Sequence, residues 1–334
     1  MTPGWAALNA AVDEAQALVA AEAPDAATAA EGQTYVTRVL AAGLAGAVLG
    51  HQFRSHGLAR ALPVYGGPNP DYLMFHAPVD PAARYRLEGR LNGSERVGVG
   101  LYTVGANGAP LIAGYVAFEP GCSPNGAFML DIAADAATGG LALTPETRIL
   151  LIRVLHRDDS QPASLTLSGG PPARGLALIG GGNDGALQFV ARSLGNAVRE
   201  YLKWTAAARA LANRLDSAPP ELTATVQGDA DTRYFLGGFD LAEGEWLEVT
   251  MPEDIGGYWS LHAYNYWYEH LQTPGAHDRN ARRDADGRIR IAVGPAAPAA
   301  ALNRIDTLGR RRGAFVCRMI GPGGRPVARL VQGE

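Results

Sequence analysis

The stretch Gly257-Tyr258-Trp259-Ser260-Leu261-His262-Ala263-Tyr264-Asn265-Tyr266-Trp267-Tyr268-Glu269-His270 holds most of the large aromatic side chains of the C-terminal half. Read with a period of two, it puts Tyr258, Ser260, His262, Tyr264, Tyr266 and Tyr268 on one face of a strand. Trp259, Leu261, Ala263, Asn265, Trp267 and Glu269 fall on the other face. Each face mixes aromatic surface with hydrogen-bonding groups, the composition of a pocket wall or a subunit interface. The surrounding domain should be built of strands.

Upstream, a second β region shows the same habit. Tyr85 and Leu87 alternate with Arg84, Arg86 and Glu88, and Val97, Val99 and Leu101 alternate with glycines and Tyr102. Ile149, Leu151, Arg153 and Leu155 lie between Pro145 and Pro162, so a β-sandwich is expected over 66–170. Arg84-Tyr85-Arg86-Leu87-Glu88-Gly89 and Arg233-Tyr234-Phe235-Leu236-Gly237-Gly238 share a spacing of Arg, Tyr, Leu and Gly. Tyr102 and Tyr264 follow in order, and both regions close on an apolar strand with an arginine, Arg153 or Arg318, before a proline and a last strand. The pattern predicts a duplication with a second sandwich over 221–334, Tyr85 matching Tyr234 and Tyr102 matching Tyr264. The two arginines would share a structural task, such as a carboxylate pair inside each sandwich.

Helices flank these regions. Val36, Val39, Leu40, Leu44, Ala47 and Val48 recur at helical spacing after an Ala-rich start, predicting a helical hairpin within 1–65 that stops at Gly66-Gly67-Pro68-Asn69-Pro70. A linker and long helix fill 171–220; the helix should run from about Asn183-Asp184 to Leu215 on a face of Leu187, Val190, Leu194, Val198, Tyr201, Ala208, Leu211 and Leu215. The fold class is therefore mainly β with helical appendages: two jelly-roll-like sandwiches, an N-terminal helical hairpin and a connecting helix.

With 334 residues the chain has room for more than one domain. Its 29 basic and 33 acidic side chains are interspersed, which leaves no footprint for nucleic acid or an anionic membrane. The N-terminus lacks the basic start and apolar stretch of a secretory signal, so a cytoplasmic location is expected, with no membrane partner. Cys122 and Cys317 lie far apart without metal-site spacing and read as inert buried thiols.

The segment from about Tyr234 to Arg318 resembles the bacterial family known as domain of unknown function 1214. The resemblance rests on Tyr258-Trp259, Asn265, Trp267, Glu269, Asn280, Asp286-Gly287-Arg288, Asn303-Arg304-Ile305-Asp306-Thr307-Leu308-Gly309 and Arg318. Asn69-Pro70-Asp71, Tyr85, Gly89 and Glu31-Gly32-Gln33-Thr34-Tyr35 are similar to the upstream part of long members. Arg304 and Arg310 stand where the family shows tryptophan and histidine. The resemblance implies a double jelly-roll sandwich and a homo-oligomer, and it implies no reaction.

The histidines form no HxxxH, HxH or HExxH, and His262 and His270 are expected on opposite strand faces, so no metal is expected. No cofactor is expected either: Gly180-Gly181-Gly182-Asn183-Asp184 lacks the lysine of a phosphate loop and reads as a linker, and no GxSxG elbow is present. The polar set is more informative. Asn265 and Glu269 share a predicted strand face with Trp259 and Trp267, and loops bearing Asn280, Asn303 and Asp306 would fold over the same sheet. A carboxylate beside indole rings has its ionised form destabilised, which suits Glu269 to general acid-base work. Glu269, Asp306 and Asn265 are thus the candidate catalytic residues. Trp259, Tyr264, Trp267, Asn280, Asn303 and Arg304 would bind substrate. The competing reading gives Asn280, Asn303 and Asp306 turn hydrogen bonds and leaves Glu269 solvated at a strand end. Arg304 and Arg310-Arg311-Arg312 would attract an acidic substrate, or simply be solvated.

The sequence-based function is an enzyme of hydrolase or lyase type, acting without cofactor on a small, partly apolar or cyclic molecule. The alternative is a non-catalytic module that binds ligand or carbohydrate, or mediates assembly.

Overall fold

The computed structural model describes residues 1–49, 54–55, 57–61, 66–104, 110–157, 160–171, 184–223 and 229–333. Its first helix, α1 (Pro3–Glu22), starts with proline at the position where no amide hydrogen is needed, and buries Leu8, Ala15 and Val19. The second, α2 (Ala26–Leu44), is capped by Asp25, whose carboxylate accepts the Thr28 N–H at 2.8 Å, and it ends in a π-helical turn over Ala45–Leu49. Gly32 lets α1 and the second sandwich close on α2: a Cβ there would lie 2.2 Å from Val19 and 2.7 Å from Trp267. Gly32→Val should therefore destabilise the chain by about 1–3 kcal/mol through overpacking, read as a lower urea midpoint.

Strands begin earlier than expected. β1 (Arg54–Ser55) and β2 (Leu58–Ala61) form a hairpin before Gly66, and β2 adds to the first sheet by pairing with β3 (Tyr72–Pro78). The helical region thus gives way to strands by Arg54. There follow β4 (Tyr85–Arg90), β5 (Arg96–Val104), β6 (Pro110–Phe118), β7 (Ala127–Ala133), β8 (Leu141–Ala142), β9 (Thr147–Leu155) and β10 (Ser164–Gly169). One sheet has the order β1-β2-β3-β9-β5-β6 and the other β10-β4-β7-β8. Leu87, Val97, Val99, Leu101, Leu130, Ile132, Leu150, Ile152 and Val154 fill the space between them, every second residue of each strand pointing inward.

The connecting helix α3 (Asp184–Ala210) buries Leu187, Val190, Leu194, Val198 and Ala208 as its periodicity predicts. It stops before Leu211 and Leu215, because the chain turns at Asn213 (φ 58°) into β11 (Arg214–Ser217), an edge strand of the next sheet. The glycine run 180–182 lies outside the described residues. After α4 (Pro220–Thr223) come β12 (Thr232–Asp240), β13 (Glu245–Thr250), β14 (Trp259–Tyr264), β15 (Ala276–His277), β16 (Arg290–Val293), β17 (Arg304–Ile305), β18 (Arg312–Ile320) and β19 (Val327–Gln332). They build sheets β11-β12-β18-β14-β15 and β17-β16-β13-β19 around Phe315, Cys317, Met319, Trp259, Leu261, Val249 and Ile291.

The two sandwiches repeat one topology. The order β3-β9-β5-β6 becomes β12-β18-β14-β15, and each second sheet ends in a parallel pair, β7 with β8 and β16 with β17. Cross-strand register makes the match residue by residue: Arg153 faces Met74 and Gly98, while Arg318 faces Tyr234 and Ser260. Tyr102 and Tyr264, each four residues beyond, are therefore equivalent, and each hydroxyl accepts from its own arginine, at 2.9 and 2.8 Å. Tyr85 and Tyr234 are not equivalent. Tyr85 lies on β4 and Tyr234 on β12, the counterpart of β3, so that part of the sequence echo is coincidental. The arginines also differ from expectation: they donate to tyrosine hydroxyls, and Arg318 also to the Gly67 carbonyl, rather than to carboxylates, and they point away from the sandwich interiors.

Those outward faces meet. Asp229, just before β12, accepts the Tyr115 hydroxyl of the first sandwich at 2.6 Å, and Asp71, just before β3, accepts the Tyr258 hydroxyl of the second at 2.8 Å. Each sandwich thus sends the loop ahead of its first strand across to the other one, and the seam between them carries buried polar groups.

Candidate functional site

Asn265, Trp267 and Glu269 do not share a strand face, because β14 ends at Tyr264 and the next residues turn. Asn265 Oδ1 accepts the N–H of Trp267 at 3.0 Å and of Glu269 at 2.9 Å, an Asx turn that closes with Tyr268 at φ 62°. Glu269 is 2% exposed, with both carboxylate oxygens 2.9 Å from Arg38 Nη1 of α2 and Oε2 2.9 Å from Asn265 Nδ2. Every strong donor in reach is already used on it, and it clamps α2 to the turn rather than facing a cavity. Trp267 stacks on Tyr35 and donates Nε1–H to the Thr28 carbonyl. Trp259 belongs to the sandwich core, and the Tyr264 hydroxyl, held by Arg318, donates to the Pro68 carbonyl.

The remaining predicted residues scatter. Asn303 is buried in a turn, accepting from Arg282 N–H and donating to the carbonyls of Arg282 and Arg290. Asp306 accepts the Leu308 N–H at 2.7 Å and pairs with half-exposed Arg304. These are the turn hydrogen bonds of the competing reading. Arg310 pairs with Glu31, and Arg312 with Asp25 and Asp240, so two of the three consecutive arginines fasten α2 to the second sandwich. Cys317 is buried, with its thiol pushed up to about 12 by burial, whereas Cys122 is exposed.

Asn280 alone of the predicted set lines a cleft with chemical potential. This cleft has a volume of about 420 Å³ and lies on the sandwich seam. Pro70 and Asp71 come from the loop ahead of β3, His262 from β14, His270 to Gly275 from the segment after the Asx turn, and His277 from β15. His262 and His270 do not lie on opposite faces. The chain folds back so that His270 bridges to Tyr264, and the two imidazoles meet edge to face with centroids 5.4 Å apart. His262 belongs to the outward face of β14 with Tyr258, Ser260 and Tyr264, whereas the Trp259 face, preferred from the sequence, is the sandwich core.

The hydrogen-bond pattern fixes what each ring presents. His270 Nδ1 accepts the Gln272 N–H at 3.0 Å and His277 Nδ1 accepts the Arg279 N–H at 3.2 Å, so each neutral ring carries its hydrogen on Nε2. His262 Nε2 makes no well-aligned hydrogen bond, but it lies 3.4 Å from Asp71 Oδ1, and the charge of that carboxylate favours the hydrogen on Nε2 and the lone pair on Nδ1. Asp71 Oδ2 accepts from Tyr258, whose hydroxyl also receives Asn69 Nδ2 at 2.6 Å and sits 2.8 Å from Ser260 Oγ. Asn280 holds the rim, donating to the Gly275 carbonyl and accepting from the His277 N–H. Gly275 packs on the His262 ring so closely that a Cβ would lie 2.2 Å from Nδ1. Among the described residues, both ring nitrogens of His262, His270 Nε2 and Thr273 Oγ1 are buried without a hydrogen-bond partner, as are single atoms of Tyr72, Arg96, Arg153 and Trp204 outside the cleft. Buried polar groups are normally satisfied, so four such atoms on three residues around one cavity point to a guest.

Burial holds all three imidazoles below the ordinary histidine range, His270 at about 4, helped there by His262 and Arg318. Burial alone would raise the Asp71 carboxyl, but hydrogen bonding and charge from His262, with the Tyr258 hydroxyl, hold it below its usual value. At neutral pH the site is thus an ionised carboxylate against uncharged rings. The unfolded chain takes up protons near pH 6.5, before the folded chain does, so these histidines contribute stability above that pH and lose it on acidification towards about 4. The urea midpoint should fall between pH 7.5 and 5.0, and fall less in His270→Gln. Equal slopes in the two proteins would refute the assignment.

The equivalent place in the first sandwich is closed. Register puts Arg96, Gly98 and Gly100 where the second has Tyr258, Ser260 and His262. The two sites have equivalent loops: Asp229 Oδ1 accepts from the Asp231 N–H as Asn69 Oδ1 does from Asp71. There, however, Arg96 pairs with Asp231 and Glu119, and the Tyr115 and Tyr102 rings occupy the space beside the glycines. Only the second repeat carries the imidazole site. Nothing in one copy of the sequence marks Asp71 as its partner, because the pairing crosses from one sandwich to the other.

Among the described residues, no group of three or more His, Cys, Asp or Glu side chains is arranged to hold a metal ion, and no helix is long and apolar enough to cross a membrane. No known family matches the sequence, and no curated protein does. Among solved structures, an uncharacterized protein from Burkholderia cenocepacia is similar over 98% of this chain and 96% of its own, with 25% identity and a TM-score of 0.86. The VPA0106 protein from Vibrio parahaemolyticus aligns over 89% and 97%, with 11% identity and a TM-score of 0.49.

Proposed function

We propose that this chain is a cofactor-independent enzyme of acid-base type, acting on a small molecule in the seam cleft, with His262 exchanging the proton and Asp71 holding its ring. The reading rests chiefly on the four unpartnered buried polar atoms around the cleft, two of them the ring nitrogens of His262 beside the Asp71 carboxylate. Glu269, Asp306 and Asn265 are not part of it: two of them are spent on the α2 clamp and the third on a surface turn. The resemblance to the domain of unknown function 1214 family belongs to the same proposal and adds no chemistry to it.

The test is a ligand-observed NMR screen of small neutral, anionic and cationic fragments against the wild-type chain, His262→Asn and Thr273→Val. Fragments that bind the wild type and are lost from both variants support the cleft. A hit set that survives both substitutions would place binding elsewhere, and hits that bind through His262 without any turnover would favour the non-catalytic binding module.

A further inference from the structure

The donor and acceptor set of the cleft is specific enough to name a substrate class, granted the acid-base reading above. No lysine or arginine lines it, so an anionic substrate finds no countercharge and meets the Asp71 carboxylate instead. A cation would have to share a buried Asp71 whose Oδ2 already accepts from Tyr258 and whose Oδ1 faces His262, so the carboxylate is turned towards the protein rather than offered to an ammonium group. An uncharged molecule remains. The groups facing it include the acceptor His262 Nδ1 and the ring N–H groups of His270 and His277, with the Thr273 hydroxyl and the Gln272 side chain beside them. A carbonyl oxygen satisfies the N–H donors, and the acidic hydrogen on the adjacent carbon is what a basic imidazole nitrogen beside them would take.

We infer that the cleft takes small uncharged carbonyl compounds, cyclic ketones and their lactam or lactone relatives, and that His262 removes a hydrogen from the carbon next to the carbonyl. In that step the C–H bond breaks and an N–H bond forms at His262 Nδ1. The released electron pair becomes a carbon–carbon double bond, and the carbonyl π pair moves onto oxygen, where the His270 and His277 N–H groups hold it. The proton then returns from Nδ1 to carbon, so nothing is consumed and no oxidant or reductant is needed. Neutral donors suit this role because they stabilise the developing charge without protonating it, and both rings are kept neutral by burial. Asp71 is a positioning residue: its carboxylate keeps the hydrogen on Nε2 and the lone pair on Nδ1. Gly275 is another, since any side chain there would cover Nδ1.

The experiment uses the full chain with cyclohexanone as probe in D2O, following loss of the α-hydrogen signal by proton NMR. Cyclohexanecarboxylate and cyclohexylammonium serve as charged counterparts, and imidazole 15N shifts report binding. The expected result is exchange accelerated at least 100-fold over buffer and lost about 10²–10⁴-fold in His262→Asn and Gly275→Ala, with ketone binding kept in His262→Gln. Binding of cyclohexanone without exchange would overturn the proton-abstraction step while leaving the cleft a ligand site. Tighter His262-dependent binding of the carboxylate or the ammonium would overturn the uncharged class and likewise leave the site. If none of the three moves the His262 resonances while the fragment screen still finds His262-dependent hits, the carbonyl assignment alone fails; if the screen is empty too, the cleft reading fails with it.

Discussion

Trp267→Ala should lower the free energy of unfolding by roughly 3–5 kcal/mol, the cost of emptying a fully enclosed aromatic site. Trp267 is 1% exposed and among the largest fully buried side chains in the described structure. It stacks on Tyr35, donates to the Thr28 carbonyl, and fills the space that Gly32 leaves on α2. Its loss therefore strips the helical layer from the second sandwich. Urea unfolding of wild type and variant measures it directly. A change below about 1 kcal/mol would mean that the helices are held by something other than this side chain. Glu269→Gln should be milder, since the amide keeps one oxygen for Asn265 and Arg38 can turn to solvent, where 45% of its side chain already lies.

Asp71→Asn should slow cyclohexanone exchange by about 10²–10⁴-fold. The substitution keeps shape and the Tyr258 contact but removes the charge that directs the His262 hydrogen to Nε2. It should also shift the lower limb of the pH-rate profile, because a neutral amide no longer opposes the effect of burial on the ring. A merely structural Asp71 would lower stability and leave the profile of the surviving activity in place. Equal rates in wild type and variant at every pH would remove Asp71 from the machinery.

Much of the architecture was legible because strand alternation and helical spacing are written locally. Val97, Val99 and Leu101 point inward as their period demands, and Leu187, Val190, Leu194 and Val198 form the buried stripe of α3. The duplication was legible in Arg153 with Tyr102 and Arg318 with Tyr264, where two residue types must meet across neighbouring strands. It was misread in Tyr85 and Tyr234, where a shared spacing carries no contact. The helix was extended too far, through Leu211 and Leu215, because their apolar spacing outlasts the helix that Asn213 ends.

The site was half legible. The stretch from Tyr258 to His270 supplies two of the cleft's histidines, but a period of two carried past Tyr264 joins Asn265, Trp267 and Glu269 into a face that the Asx turn dissolves. The indole face favours a catalytic reading from sequence because carboxylates in apolar surroundings titrate unusually. Arg38 answers that carboxylate from a helix more than two hundred residues away, a separation at which sequence spacing says nothing. The opposite face, with His262, gains meaning only when Asp71 arrives from the other sandwich. The turn chemistry of Asn69-Pro70-Asp71 gives no hint of where the carboxylate goes.

The central claim is that His262 sits neutral beside an ionised Asp71, with its hydrogen on Nε2 and a lone pair on Nδ1. The imidazole 15N spectrum of the ligand-free chain at pH 7 tests it most directly. The account predicts three neutral rings at 262, 270 and 277, each protonated on Nε2, with His262 changing its shifts in Asp71→Asn. A His262 that is doubly protonated at pH 7, or protonated on Nδ1 and indifferent to Asp71→Asn, would contradict it.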